Sequence, residues 1–127
     1  MTRRHITLEN MTEVASNSGV SERKGWRVEM HKKFVSREYS QETYGKLGRA
    51  MYEINTESFV YIHWGTPILE ITRIGNLMTG YETSYEILHG ESKSDSDAIN
   101  AMLGYFGIDD VRTTFRPVNG GFIILDN

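Results

Sequence analysis

Arg112, Thr114 and Arg116 alternate with Val111, Thr113 and Phe115, a period of two that sets both guanidinium groups on one strand face with a hydroxyl between them. Two planar forks flanking a hydroxyl suit a phosphate or pyrophosphate. The same pattern also describes a solvated face whose arginines pair with carboxylates next door. Ser92, Ser94 and Ser96 surround a helix start, where free N–H groups and the helix dipole favour an anion. Asp95 and Asp97 oppose one, and simple capping explains the spacing equally well. Asn100, one turn into that helix beside Ile99, has poor helix propensity, so its amide is expected either to read an adenine edge or to hold a neighbouring loop. Trp64, beside Gly65, offers a face on which a base stacks, or else is a core or interface aromatic with His63 exposed by alternation. Tyr81, Tyr85 and Tyr105 offer further faces. Arg27, alternating with Trp26 and Val28, points away from the core as another cation.

The sequence carries no phosphate loop, no Gly-x-Ser-x-Gly elbow, no His-Glu-x-x-His and no pair of histidines at metal spacing. Asp109 and Asp110 are neighbours, so on a strand they face opposite ways, and a turn or solvated loop suits them better than acid and base work. The expectation is binding without catalysis, cofactor or metal. With 14 Lys plus Arg against 17 Asp plus Glu and a net charge of −3, any anion must be held by a local cluster, and long nucleic acid is not an expected partner. Zero cysteines exclude a disulfide scaffold and a thiolate site. No apolar run approaches membrane-spanning length and Met1 to Asn10 is too polar for a signal peptide, so a cytoplasmic protein is expected. At 127 residues, of which 39% are apolar, the expectation is one domain over residues 1–127.

The elements that would position these residues follow from spacing. Leu8, Met11, Val14 and Ala15 predict an amphipathic helix over Thr7 to Ser18, closed by Gly19. Trp26, Val28 and Met30 predict a strand ending at Phe34 and Val35. Tyr44, Leu47, Met51 and Ile54 predict a short helix within Ser40 to Glu53, packed closely at Gly45 and Gly48. Phe59 to Trp64 and Ile68 to Ile74 predict two strands joined or bent at Gly65, with Pro67 at a strand start or edge. Gly75-Asn76 predicts a tight hairpin turn, and Tyr81 to Leu88 a further strand. Ser94 and Asp97 predict a capping box before a helix whose apolar face is Ala98, Ile99, Met102, Leu103 and Phe106, ended by Gly107. Asn119-Gly120 turns the Val111 to Arg116 strand into Phe122 to Leu125. Strands joined mainly by hairpins, with helices early and late, predict α+β with a largely antiparallel sheet.

The order His63-Trp-Gly-Thr-Pro-Ile68, a Gly-Asn hairpin, and Ser92 to Asn100 before an apolar helix resembles a group of small phage and prophage proteins. Within that group the chain resembles the anti-Thoeris family that sequesters cyclic ADP-ribose signals. The resemblance implies a cytoplasmic molecular sponge: an oligomer that binds a cyclic nucleotide without cleaving it, with pockets between protomers. It would place Asn100 near the adenine, and Arg112, Thr114 and Arg116 near the pyrophosphate and ribose. Where many relatives carry an aromatic residue before the Ser/Thr loop this chain has His89-Gly90, leaving His89, Tyr85 or Trp64 as the stacking partner. A phage inhibitor that contacts a host defence protein directly is the alternative. Surplus apolar surface at Met11, Val14 and Trp64 predicts a homodimer or higher oligomer.

Overall fold

The structure, a computed structural model, describes residues 4–43, 49–76, 80–117 and 120–126. Helix α1 (Ile6–Ser18) buries Leu8, Met11 and Ala15 as their spacing demands, but Val14 lies in solvent and Thr12 takes the remaining inward position. Thr12 is satisfied there: its hydroxyl donates to the Leu8 carbonyl at 2.7 Å and lies 2.8 Å from the Tyr61 hydroxyl, whose ionisation burial pushes up. Gly19 ends the helix in the left-handed region at φ 91, its N–H donating to the Ala15 carbonyl. The N-terminus is capped by His5, whose Nδ1 accepts from the Leu8 N–H at 3.2 Å.

That cap depends on pH. Burial, the largest cause, and His63 lower the His5 pKa, and a hydrogen bond with its own backbone, Glu9 and Asp97 work against them. The unfolded chain therefore takes up the proton before the folded one, so the contribution is complete above the ordinary value of 6.5 and is lost as pH falls below it. Protonation also removes the lone pair that caps the helix. We expect thermal stability to drop below about pH 6.5 by an amount worth roughly 0.5–2 kcal/mol. In His5→Asn, which caps at every pH, that part of the drop should vanish; an unaltered pH profile in this variant would refute the assignment.

Five strands follow as a meander: β1 (Val20–Arg23), β2 (Trp26–Thr43), β3 (Arg49–His63), β4 (Thr66–Asn76) and β5 (Gly80–Ile87), each antiparallel to the next. β1, short and polar, carries no apolar alternation that would announce it. The inward face carries Trp26, Val28 and Met30, then Phe59 and Tyr61, then Leu69 and Ile71, under both helices. Ile68 is buried beside Leu69 because the β3–β4 register shifts at Tyr61/Ile62, which sends two consecutive side chains inward, with Pro67 just before them at the strand start. The expected helix within Ser40 to Glu53 is replaced by strand on both sides, with Thr43 paired to Arg49 and Glu53 to Arg37. Pairing across the hairpin overrides a spacing that Gly45 and Gly48, outside the described residues, already weakened. The expected turn at Gly75-Asn76 is also displaced. Both residues remain in β4, opposite Tyr81 and Gly80, and residues 77–79 lie outside the described residues. Glycine is required at position 75, at φ 140, because a Cβ would collide with the Gly80 carbonyl oxygen.

Helix α2 (Lys93–Tyr105) buries Ala98, Ile99, Met102 and Leu103, with Phe106 half-buried against the same core, and Gly107 follows in the left-handed region. Its cap is Ser92, two residues before the expected Ser94: the Ser92 hydroxyl accepts from the Asp95 N–H at 3.1 Å. The i to i+3 spacing is identical for both serines, so tertiary contacts of Asp95 decide the start. Strands β6 (Val111–Arg116) and β7 (Gly121–Asp126) form a separate antiparallel pair. Their connection includes Asn119, outside the described residues, and Gly120 at φ 68. The architecture is α+β with largely antiparallel sheets. Among the described residues no helix is long and apolar enough to cross a membrane.

Candidate functional site

Arg23 opposes Trp26 and His63 opposes Thr66, so Lys24-Gly25 and Trp64-Gly65 are two-residue hairpin loops. All four residues have positive φ, the conformation whose twist matches the flanking strands. The loops lie side by side: the Trp64 N–H donates to the Gly25 carbonyl at 2.7 Å. The Trp64 indole rests against Gly25, where a Cβ would approach its ring to 2.8 Å. Nevertheless 76% of Trp64 is exposed. A cleft of about 410 Å³ opens here, lined by Arg23, Lys24, Trp26, Arg27, Ile62 and Trp64. Arg27 is held by Glu22 at 2.7 Å and Glu29 at 2.8 Å. Those contacts hold the Glu29 carboxyl below its ordinary value, mainly through the Arg27 hydrogen bond. Arg23 and Lys24 form no ion pair among the described residues.

Behind the cleft the placement of His63 and Trp64 reverses the core-aromatic alternative. Trp64 is outside and His63 is inside, stacked on Trp26 at 3.8 Å between centroids and 6° between planes. Its Nδ1 lies 2.7 Å from Asp95 Oδ1, with side-chain exposures of 12% and 8%. The other Asp95 oxygen accepts the Glu91 N–H at 3.3 Å. A carboxylate on imidazole Nδ1 is the arrangement of a base and its orienting group. No hydroxyl is bonded to this ring among the described residues. The same contact also ties the start of α2 to the end of β3. Among the described residues no group of three His, Cys, Asp or Glu side chains is placed to hold a metal.

Of the residues expected to bind a ligand, Trp64 and Arg27 come together in this cleft, and the others lie elsewhere. Arg112, Thr114 and Arg116 share the exposed face of β6, opposite Leu125, Ile123 and Gly121. Neither arginine meets a carboxylate among the described residues, so the expected surface pairing is absent there. Asn100 is not available to a base. Its Nδ2 donates to the Thr113 carbonyl at 2.8 Å and its Oδ1 accepts the Thr113 N–H at 2.6 Å. The amide thus occupies both backbone groups of a residue on the β6 edge away from β7. Ser92 is engaged in its cap and Ser94 is exposed. His89 is exposed 3.7 Å from Glu91, and Gly90 beside it is covered by the Phe122 ring, which a Cβ would strike. Asp109 and Asp110 are exposed in the α2–β6 loop, as expected.

The His63–Asp95 pair and Lys24-Gly25 escape a reading of spacing alone, whereas the inward Trp26 follows the expected alternation with Arg27. Parity was the available signal, since His63 shares it with Phe59 and Tyr61, but Val60 and Ile62 gave the opposite parity an apolar face as well. Comparison with protein-family models, curated proteins and solved structures finds no match to this chain.

Proposed function

We propose that the protein binds a small anionic nucleotide in the turn cleft and holds it without cleavage, the sponge activity that the resemblance to cyclic ADP-ribose-sequestering phage proteins implies. The observation that carries this reading is Trp64, a large indole held 76% exposed by a strained turn, beside Arg23 and Lys24, cations without an ion pair among the described residues. Such an indole is a stacking platform for a base, and the neighbouring cations are positioned for its phosphates. A volume of about 410 Å³ falls in the range of small-ligand sites and accommodates one nucleotide. Arg112, Thr114 and Arg116 form a second donor surface, available to the ligand of an adjoining protomer in a homodimer or larger oligomer. Exposed Ile123, Ile124 and Leu125 on β7 supply apolar surface for that assembly, and equally favour the second reading, direct contact with a host defence protein.

Calorimetry with a cyclic ADP-ribose isomer and plain adenosine nucleotides tests the proposal, with chromatography of the recovered ligand and light scattering on the same samples. Trp64→Ala should weaken nucleotide binding tenfold or more with the fold intact, the loss of one base-stacking contact worth about 1–3 kcal/mol. The nucleotide should return unchanged, and the protein should run as an oligomer. Absence of binding by the native protein, or equal affinity in Trp64→Ala, refutes the cleft. Conversion of the nucleotide refutes sequestration and directs attention to His63 and Asp95.

A further inference from the structure

Both helices start near the turns, where His5 lies edge-on to Trp26 and Asp95 meets His63, and both end over Phe59. A cavity of about 240 Å³ lies at their ends, on the inward side of the sheet and separate from the turn cleft. Its apolar walls are Phe59, Phe106 and Tyr105, with Phe59 and Phe106 at 5.3 Å and Tyr105 edge-on to Phe106 at 5.3 Å. Its polar rim is Thr12, Glu13, Ser16, Asn17, Arg73 and Tyr105; the Thr12 hydroxyl is bonded to the Leu8 carbonyl and lies against the Tyr61 hydroxyl, and the Asn17 amide donates to the Glu13 carbonyl. Arg73 lies over Phe59 and Tyr81 at 5.5 Å and 4.4 Å from their centroids, and Glu57 binds it at 2.8 Å. Glu13 has no hydrogen-bond partner for its carboxylate among the described residues. Neither helix has a basic residue in its last turn, so the negative ends of both dipoles are uncompensated beside that carboxylate. Burial and Glu13 raise the Tyr105 pKa, which keeps its phenol a donor.

These charges select a ligand class. An anion meets Glu13 and two helix C-termini, and a full cation finds the Phe59 face and the Glu57 carboxylate already taken by Arg73. What suits the cavity is a neutral flat ring that offers adjacent N–H donors to Glu13 and an acceptor to Arg73 or the Tyr105 hydroxyl. We propose that this cavity binds a planar heterocycle of the guanine type, its N1–H and exocyclic amino group on the Glu13 carboxylate and its carbonyl oxygen toward Arg73, packed against the aromatic side chains of Tyr105 and Phe106. A carboxylate accepting two parallel N–H bonds separates this edge from that of adenine, which has an acceptor at N1. The volume fits a base rather than a whole nucleotide, and the site goes beyond the turn cleft because it needs neither Trp64 nor the cations there.

Titration calorimetry of the whole protein with guanosine, adenosine, cytidine and choline tests it. Guanosine should saturate the site at least tenfold more tightly than adenosine or cytidine, and choline should not bind. Glu13→Gln, a change on an exposed helix position, should lose at least tenfold in guanosine affinity with adenosine unaffected and an unaltered melting curve. Amide chemical shifts of Tyr105 and Phe106 should move with guanosine, and Trp64→Ala should leave guanosine binding intact. Equal affinity for guanosine and adenosine, failure of guanosine to saturate, a preference for choline, or unchanged guanosine affinity in Glu13→Gln would overturn the assignment.

Discussion

Asn100→Ala should destabilise the protein by about 2–4 kcal/mol, among the largest effects of any single substitution here. The wild-type amide satisfies the N–H and C=O of Thr113 together, and Thr113 is only 3% exposed, so truncation orphans two backbone groups where water does not reach. An unsatisfied buried group costs roughly 1–3 kcal/mol. The Ser96 and Thr113 hydroxyls, 2.7 Å apart, remain as the next link between α2 and β6 and limit the damage. In a chain of this size the melting temperature should fall by about 10 °C. Asn100→Asp should be comparably harmful, because a carboxylate oxygen then faces the Thr113 carbonyl. Nucleotide affinity per folded molecule should be unchanged. A melting temperature within a degree of wild type would return Asn100 to the role of a ligand contact.

Asp95→Ala should cost about 2–4 kcal/mol, since one carboxylate serves three partners: the His63 ring, the Glu91 N–H and the positive end of α2. Its loss leaves an imidazole N–H without a partner beneath Trp26. Asp95→Asn preserves an acceptor for that N–H and should recover more than half of the loss. Urea denaturation of the two variants reads the difference; equal stability in Asp95→Ala and wild type would mean that the short contact with His63 contributes nothing to holding α2.

Both helices were legible because burial at steps of three and four, left-handed glycines at 19 and 107 and, for α2, a serine cap are local properties. The cap still slipped by two residues, since Ser92-x-x-Asp95 and Ser94-x-x-Asp97 are equivalent until His63 is brought against one of the aspartates. The central strands were legible and their lengths were not. β2 continues past Phe34 and Val35 into polar sequence because β3 supplies its partners, and Gly75-Asn76 reads as a turn until Tyr81 and Gly80 are placed opposite it. For the site, alternation alone put Arg112, Thr114 and Arg116 on one exposed face. Asn100 stands out in sequence as an amide that needs a partner, and the choice between ligand and loop was fixed by a strand thirteen residues away. The neighbourhood of Trp64 depends on two turns packed side by side, which neither turn's own sequence encodes.

The meander also bears on the order in which the chain assembles. Each of the first five strands finds its partner next to it in sequence, so the sheet closes through short loops at small entropic cost. Helix α1 is made before any of them, yet Thr12 packs on Tyr61 and Met102, 49 and 90 residues downstream. Until α2 emerges, Leu8, Met11 and Ala15 have only part of their covering. Because α1 packs on β1 and β2 as well as on α2, its covering is complete only once α2 is in place, and a chain halted before α2 would leave the rest of the sheet's inner face open to water.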